Sequence, residues 1–115
     1  MTRNETLLKL LENLHTRPLC RGAYFLINDQ GVEETCIIGS LFTREELKDL
    51  VDSNINCGSV NTAFQKLNID PMERFGFGVD DWTLQEIQNL FDGHDHEYVD
   101  AHIRLRLLPE AEVEK

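Results

Sequence analysis

The chain lacks the run of about 20 consecutive apolar residues that a membrane-spanning helix requires. Its first residues, MTRNET, also lack the apolar core of a secretory signal peptide. Positive charge is scarce, since 11 basic residues face 21 acidic ones and the formal net charge is -10. A field of this sign repels the phosphate backbone of nucleic acids. These absences argue against a membrane protein, a secreted protein and a nucleic-acid binder, and we expect a cytoplasmic protein.

Cysteines are few, and Cys20, Cys36 and Cys57 form no CxxC pair. An odd number of cysteines suits neither a pure disulfide framework nor a four-cysteine zinc site. We expect three reduced thiols that pack as small hydrophobic side chains. A phosphate-binding loop is missing as well, because no Lys-Ser or Lys-Thr follows Gly76 and Gly78.

The length and composition are those of one small folded domain. The chain has 115 residues, of which 41% are hydrophobic and 28% are charged, a balance typical of globular proteins rather than disordered tails. We expect residues 1–108 to form a single globular domain. From Pro109 onward the sequence is polar, and residues 109–115 are predicted to be a frayed tail.

Apolar residues at helical spacing predict about five short helices. The first is expected over residues 5–15, and a proline at the first position of a short turn after Asp70 fits the start of another. Thr43 and Thr83 are each followed three residues later by glutamate, which is the pattern of a capping box. The predicted N-caps are Asn4, Thr43, Ser59, Thr83 and Asp95.

Residues 22–38 are predicted to form a β-hairpin. Residues 24–27 are apolar and rich in β-forming side chains, and residues 32–38 return after a loop in which Gly31 supplies a positive φ. Residues 36–42 also fit the start of a short helix, because so brief an apolar run has no decisive periodicity.

Two interpretations of residues 102–108 stay open. The alternation of apolar and polar side chains predicts a third strand. Ala, Leu and Arg are helix formers, however, and favour a helix that continues from Asp95. The fold class predicted from the whole pattern is α+β, with about five short helices packed on a two-stranded antiparallel hairpin. The expected core consists of Leu7, Leu11, Leu14, Phe25, Ile27, Ile38, Leu47, Leu50, Phe64, Leu67, Ile87, Leu90 and Val99.

Four short segments carry a resemblance to a known family. They are CRGAY at 20–24, CIIGSL at 36–41, the apolar stripe at 60–63, and DDWT at 80–83 before a predicted helix. Their order and spacing resemble an uncharacterised family of small proteins encoded by actinobacteria and phages. That family usually has Ala where Ser40 stands and Asn where Asp80 stands.

The resemblance spans roughly residues 5–91. It implies a helix over 83–91 and a second, short helix over 37–42. It implies no activity and no cofactor, because the family has none assigned.

Negative charge is concentrated in the later part of the chain, since residues 61–100 carry nine acidic and two basic side chains. Tryptophan is a frequent interface anchor, and acidic neighbours steer a basic partner towards it. Trp82 between acidic residues and a helix fits either this role or packing against its own helix. The predicted partner-binding residues are Asp80, Asp81, Trp82, Asp92 and Asp95.

The function that we predict is that of a small, acidic, non-enzymatic interaction domain. Its partner would be a basic protein surface, such as the phosphate-binding track of a nucleic-acid-binding enzyme. An inhibitor encoded by a phage, or an immunity protein, works through the same electrostatics. No cofactor, bound metal, direct nucleic-acid contact or membrane contact is predicted.

Two other functions stay open at this point. His94 and His96, with a nearby acid, are ligand types that a divalent metal takes, although one segment rarely supplies a whole site. Cys20 or Cys36 would serve as the nucleophile of a hydrolase if its thiol pKa were lowered.

Overall fold

The structure is a computed structural model that describes residues 2–56, 58–76 and 79–108. Within these residues, six α-helices and one two-stranded antiparallel sheet confirm the predicted α+β class. The tail predicted for 109–115 lies outside the described residues. The elements are α1 (Arg3–Thr16), β1 (Phe25–Ile27), β2 (Glu33–Thr35), α2 (Arg44–Asp52), α3 (Val60–Leu67), α4 (Pro71–Phe75), α5 (Asp81–Gly93) and α6 (His96–His102).

Side-chain oxygens cap the helices, and two of the five predicted caps are wrong. Helix α1 begins after Thr2 rather than Asn4, because the Thr2 hydroxyl accepts the N–H of Glu5 and the Glu5 carboxylate accepts the N–H of Thr2. Helix α5 is capped by Asp80, which accepts the N–H of Thr83 at 2.8 Å. Thr83 therefore lies inside the helix. The caps predicted at Thr43, Ser59 and Asp95 are confirmed.

The hairpin is shorter than predicted. Phe25 pairs with Thr35 and Ile27 with Glu33, and Gly31 has the expected positive φ of 79° in the connecting loop. The second strand ends at Thr35, so its predicted extension to residue 38 is wrong. The chain turns into a short 3-10 helix at Gly39–Leu41, where a Cβ on Gly39 would lie 2.5 Å from the Tyr24 carbonyl oxygen. This close approach of two backbone segments favours glycine and ends the strand.

The third strand near 102–108 is wrong, because this segment is helical. A π-helical turn, Ile103–Leu107, continues α6. The alternation of apolar residues was misleading, since the side chain of Leu105 is 75% exposed while Ile103 and Leu107 are buried. Burial four residues apart is the period of a helix, and the helix-forming composition decides the outcome.

One core joins α1, the turn after the hairpin and the five helices that follow. Nine of the thirteen residues predicted for the core are buried, while Phe25, Leu67 and Leu90 are partly buried at its margin. Ile27 is the error: it lies at the end of β1 and is 59% exposed. The buried residues that were not predicted include Leu10, Ile37, Val60, Phe75, Val79, Leu84, Phe91 and Ile103.

The start of α1 is seated on the end of α4. The buried Thr6 hydroxyl donates to the Phe75 carbonyl at 2.6 Å. Gly76 has φ +109°, and a Cβ there would lie 2.2 Å from the backbone nitrogen of Arg3. The contact fixes the end of α4 against the start of α1.

Gly76→Ala is expected to lower the free energy of unfolding by about 2 kcal/mol or more, because it combines an unfavourable φ with a backbone collision. Gly93→Ala is the matched control: Gly93 closes a helix and has nothing within 4 Å of its Cβ position. The control is expected to stay within about 1 kcal/mol of the wild type. Urea unfolding measures the stability of both variants. A Gly76→Ala protein as stable as the Gly93→Ala protein would refute the contact between α1 and the end of α4.

Candidate functional site

A surface groove of about 530 Å³ lies between α3, α4 and the start of α5. Carboxylates and amides dominate its wall, with Phe64, Ile69 and Pro71 as the apolar part. We call it the acidic groove. Its polar lining residues are Asn61, Gln65, Asn68, Asp70, Glu73 and Asp81.

Local sequence signals shape this groove. Helix α3 ends at Asn68, which adopts a left-handed conformation with φ 56°. Asp70 then accepts the N–H of Met72 and caps α4, with Pro71 at the first helical position. The chain therefore reverses within a few residues, and the side chains that carry these signals line the cleft between the two helices.

Trp82 is largely in solvent and is the neighbour in sequence of a residue that lines this groove. It directly follows Asp81 in the first turn of α5, and its side chain is 79% exposed. Packing against its own helix, one of the two interpretations of Trp82, is therefore wrong. The indole therefore leaves a large apolar surface in contact with water.

The carboxylates of the acidic groove keep their charge uncompensated. Among the described residues, Asp70, Glu73 and Asp81 form no salt bridge. The N–H of Thr83, supported by the charge of Arg3, lowers the pKa of Asp80 below its usual value, so Asp80 is ionised at neutral pH. Asp81 belongs both to the groove lining and to the first turn of α5, where the exposed Trp82 follows it.

Not every acidic side chain nearby is available in this way. Glu46 on α2 forms a two-pronged ion pair with Arg74 on α4, and the distance from Arg74 Nη2 to Glu46 Oε1 is 2.7 Å. Arg74 also lies over the Phe75 ring, 5.3 Å from its centre. This pair neutralises Glu46 and fixes the position of α4, which forms one side of the groove.

The five residues predicted to bind a partner do not form one patch. Helix α5 has 13 residues and is therefore about 20 Å long. Asp80, Asp81 and Trp82 stand at its start, whereas Asp92 and Asp95 lie around its end. Asp95 caps α6 by accepting the N–H of Tyr98 at 2.9 Å.

A second pocket, of about 200 Å³, lies beside Asp92 and was not predicted from the sequence. We call it the polar pocket. Gln85, Gln88 and Asp92 share one face of α5, and this i, i+3, i+7 spacing is the signal that could have revealed it. The pocket is lined by Gly22, Ala23, Tyr24, Cys36, Asn56, Gly58, Ser59, Gln85, Gln88 and Asp92.

The metal-binding alternative gains no support. The His94 ring stacks on Tyr98 with centres 4.1 Å apart, and the His96 ring stacks on Phe91 at 5.6 Å. In residues 2–56, 58–76 and 79–108, no group of three or more His, Cys, Asp or Glu side chains is placed to hold a metal ion.

The nucleophilic cysteine alternative also lacks the chemistry that it requires. Burial raises the pKa of the Cys20 thiol to about 11 and that of Cys36 to about 12. A catalytic thiol needs a lowered pKa, because the thiolate is the nucleophile. Cys57 lies outside the described residues.

No protein-family model matches the chain, and comparison with curated proteins and with solved structures finds no significant match. The resemblance to a family of actinobacterial and phage proteins stays a prediction. No helix among the described residues is long and apolar enough to cross a membrane.

Glu46→Gln is expected to lower the free energy of unfolding by about 1–2 kcal/mol at pH 7, because it removes the charge that pairs with Arg74 and keeps a capping side chain. Arg74 holds the pKa of Glu46 below its usual value. The stabilisation is thus present above the unfolded-state pKa and is lost as the pH falls through the folded-state pKa. Urea unfolding at pH 7 and at pH 3 measures the difference. Glu45→Gln, beside it in the first turn of α2, is the control, and equal losses at pH 7 would contradict the assignment.

Cys20 and Cys36 are expected to react with iodoacetamide at pH 8 at least about 100-fold more slowly in the native protein than in urea, given their raised pKa and burial. Mass spectrometry of tryptic peptides follows each thiol separately. Fast native labelling of either one would contradict this account of both thiols.

Proposed function

We propose that this protein binds a basic surface of a partner protein through the acidic groove and Trp82. One observation carries the proposal: Trp82 is 79% exposed and directly follows Asp81, which lines a groove whose carboxylates make no ion pair within the described residues. Burying the indole in a partner would remove apolar surface from water, and the carboxylates would pair with the partner's cations.

The chemistry of the groove favours arginine and lysine side chains. Asp70, Glu73 and Asp81 accept hydrogen bonds from guanidinium and ammonium groups, and amides such as Gln65 add further acceptors. The face of an indole attracts a cation, so a guanidinium group gains a second contact at Trp82.

A nucleic-acid-binding enzyme is the class of partner that this surface fits best. Such enzymes present basic tracks for phosphate groups, and an acidic groove competes for the same track. An inhibitor encoded by a phage, or an immunity protein against a nuclease, would act in this way. The proposal assigns no catalytic step to the protein, and its action is to occupy a surface.

The first test measures binding of a fluorescein-labelled octa-arginine peptide by fluorescence anisotropy at low salt. Trp82→Ala, and the double variant Glu73→Gln with Asp81→Asn, are each expected to weaken binding about tenfold. The control double variant, Asp29→Asn with Glu97→Gln, removes the same charge from the hairpin loop and from α6. It is expected to change the dissociation constant by less than about threefold.

Equal weakening by the groove pair and the control pair would mean that the peptide senses only net charge, and this would refute the groove as the binding site. The affinity for the peptide is also expected to fall steeply from low to physiological salt, because exposed charges are screened over about 8 Å at 0.15 M. An affinity that is flat with salt, or no binding at all, would contradict the proposal.

A further inference from the structure

The polar pocket beside Asp92 is formed by three segments of the chain. It lies between the segment before β1, the loop before α3 and the polar face of α5. Small residues, Gly22 and Ala23, form part of its lining and leave space. Cys36 is its most deeply buried lining side chain, at 2% exposure.

Side-chain amides hold the walls of the pocket in place by bonding to backbone groups. Gln85 accepts the N–H of Val60 at 2.7 Å, and Gln88 accepts the N–H of Ile38 at 3.3 Å. Asn56 forms two hydrogen bonds with the backbone of Phe25, at 2.7 and 3.0 Å. The cavity is therefore fixed before any ligand arrives, which reduces the entropic cost of binding.

Hydrogen bonds within the pocket engage one donor from each of three lining side chains. The Tyr24 hydroxyl donates to the Gly58 carbonyl at 2.9 Å. The Gln85 amide donates to Asn89 at 2.9 Å, and the Gln88 amide donates to Asp92 at 3.0 Å. Because each of the two glutamine amides keeps a second N–H, hydrogen bonding alone does not select the ligand, and negative charge in the lining is what favours a cationic one.

Asp92 supplies the charge for such a ligand. Its carboxylate is exposed at the pocket and makes no ion pair with any described residue. Gln88 occupies only one of its two oxygens, Oδ1. The remaining oxygen, Oδ2, suits a compact ammonium group better than a guanidinium, which prefers both oxygens of a carboxylate at once.

We propose that the polar pocket binds a primary alkylammonium group on Asp92, and that in the complex this group is a lysine side chain of the partner. The assignment of the ammonium group to a partner's lysine rests on the proposed function. The binding of an alkylammonium group in the pocket does not. The polar pocket and the acidic groove share no lining residue, so a partner that reaches both would contact α5 at two places.

The experiment titrates three small probes into the ¹⁵N-labelled protein and follows the Ile38 backbone amide and the Gln88 side-chain amide by NMR. The probes are n-butylammonium, n-propylguanidinium and the neutral n-butanol. We expect saturable shifts with n-butylammonium in the millimolar range, binding at least about fivefold weaker for the guanidinium, and none for the alcohol. This ranking of the three probes by affinity is measured on the wild-type protein and does not depend on a variant.

Asp92→Asn keeps an acceptor for Gln88 and removes the charge, and it is expected to weaken n-butylammonium binding about tenfold or more. Asp29→Asn, with the same charge change in the hairpin loop, is expected to leave it unchanged. Tighter binding of the guanidinium, no saturable shift, or equal effects of the two variants would overturn the proposal.

A further titration distinguishes a partner's lysine from a free amine as the source of the ammonium group. Nα-acetyl-lysine N-methylamide, which presents the side chain as a protein does, is expected to bind at least as tightly as n-butylammonium. Rejection of this probe would overturn the assignment to a partner's lysine and would point to a free amine. The outcome at the acidic groove is independent, because octa-arginine binding there is measured through Trp82 and Glu73 rather than through Asp92.

Discussion

The structure depends on two faces of helix α5. One face packs in the core, and the other bonds to the backbone of other elements. Its apolar side chains, Leu84, Ile87 and Phe91, are fully buried. On the adjoining face, Gln85 and Gln88 accept backbone N–H groups at the start of α3 and before the 3-10 turn. Such N–H groups would otherwise be orphaned in a partly buried place, so these two amides join three segments through one helix.

Side chains also bond to both ends of α5. At the start, Asp80 caps the helix, and at the end, the Arg21 guanidinium donates to the carbonyls of Phe91 and His94 at 2.9 and 3.0 Å. Arg21 also stacks over the Phe91 ring, 4.8 Å from its centre. These contacts fix both ends of α5, with Trp82 near its start and Asp92 near its end.

Sequence reasoning predicted the parts of this arrangement that rest on local signals. The sequence predicts three caps, the loop glycine Gly31 and most of the apolar helix faces. Each of these features depends on side chains that lie within a few residues of one another. The alternation over 102–108 misled because nothing in the sequence shows that Leu105 faces solvent. The roles of Gln85 and Gln88 were hidden for a related reason, since their partners lie 25 and 50 residues away along the chain. A polar side chain on a helix looks solvated until its tertiary partner is known.

Negative charge is concentrated in residues 61–100, but not all of it is available to a partner, because Arg104 pairs with Asp100. Asp92 and Asp95 lie around the end of α5, while Asp70, Glu73 and Asp81 line the acidic groove. The central proposal is that these groove carboxylates, together with the exposed Trp82, bind a basic partner. Trp82 is the only tryptophan in the chain, so quenching of its fluorescence by acrylamide reports on this surface alone. Saturating octa-arginine at low salt should shield the indole and lower the quenching constant at least about twofold. Peptide binding that leaves the quenching constant unchanged would show that the basic ligand sits elsewhere.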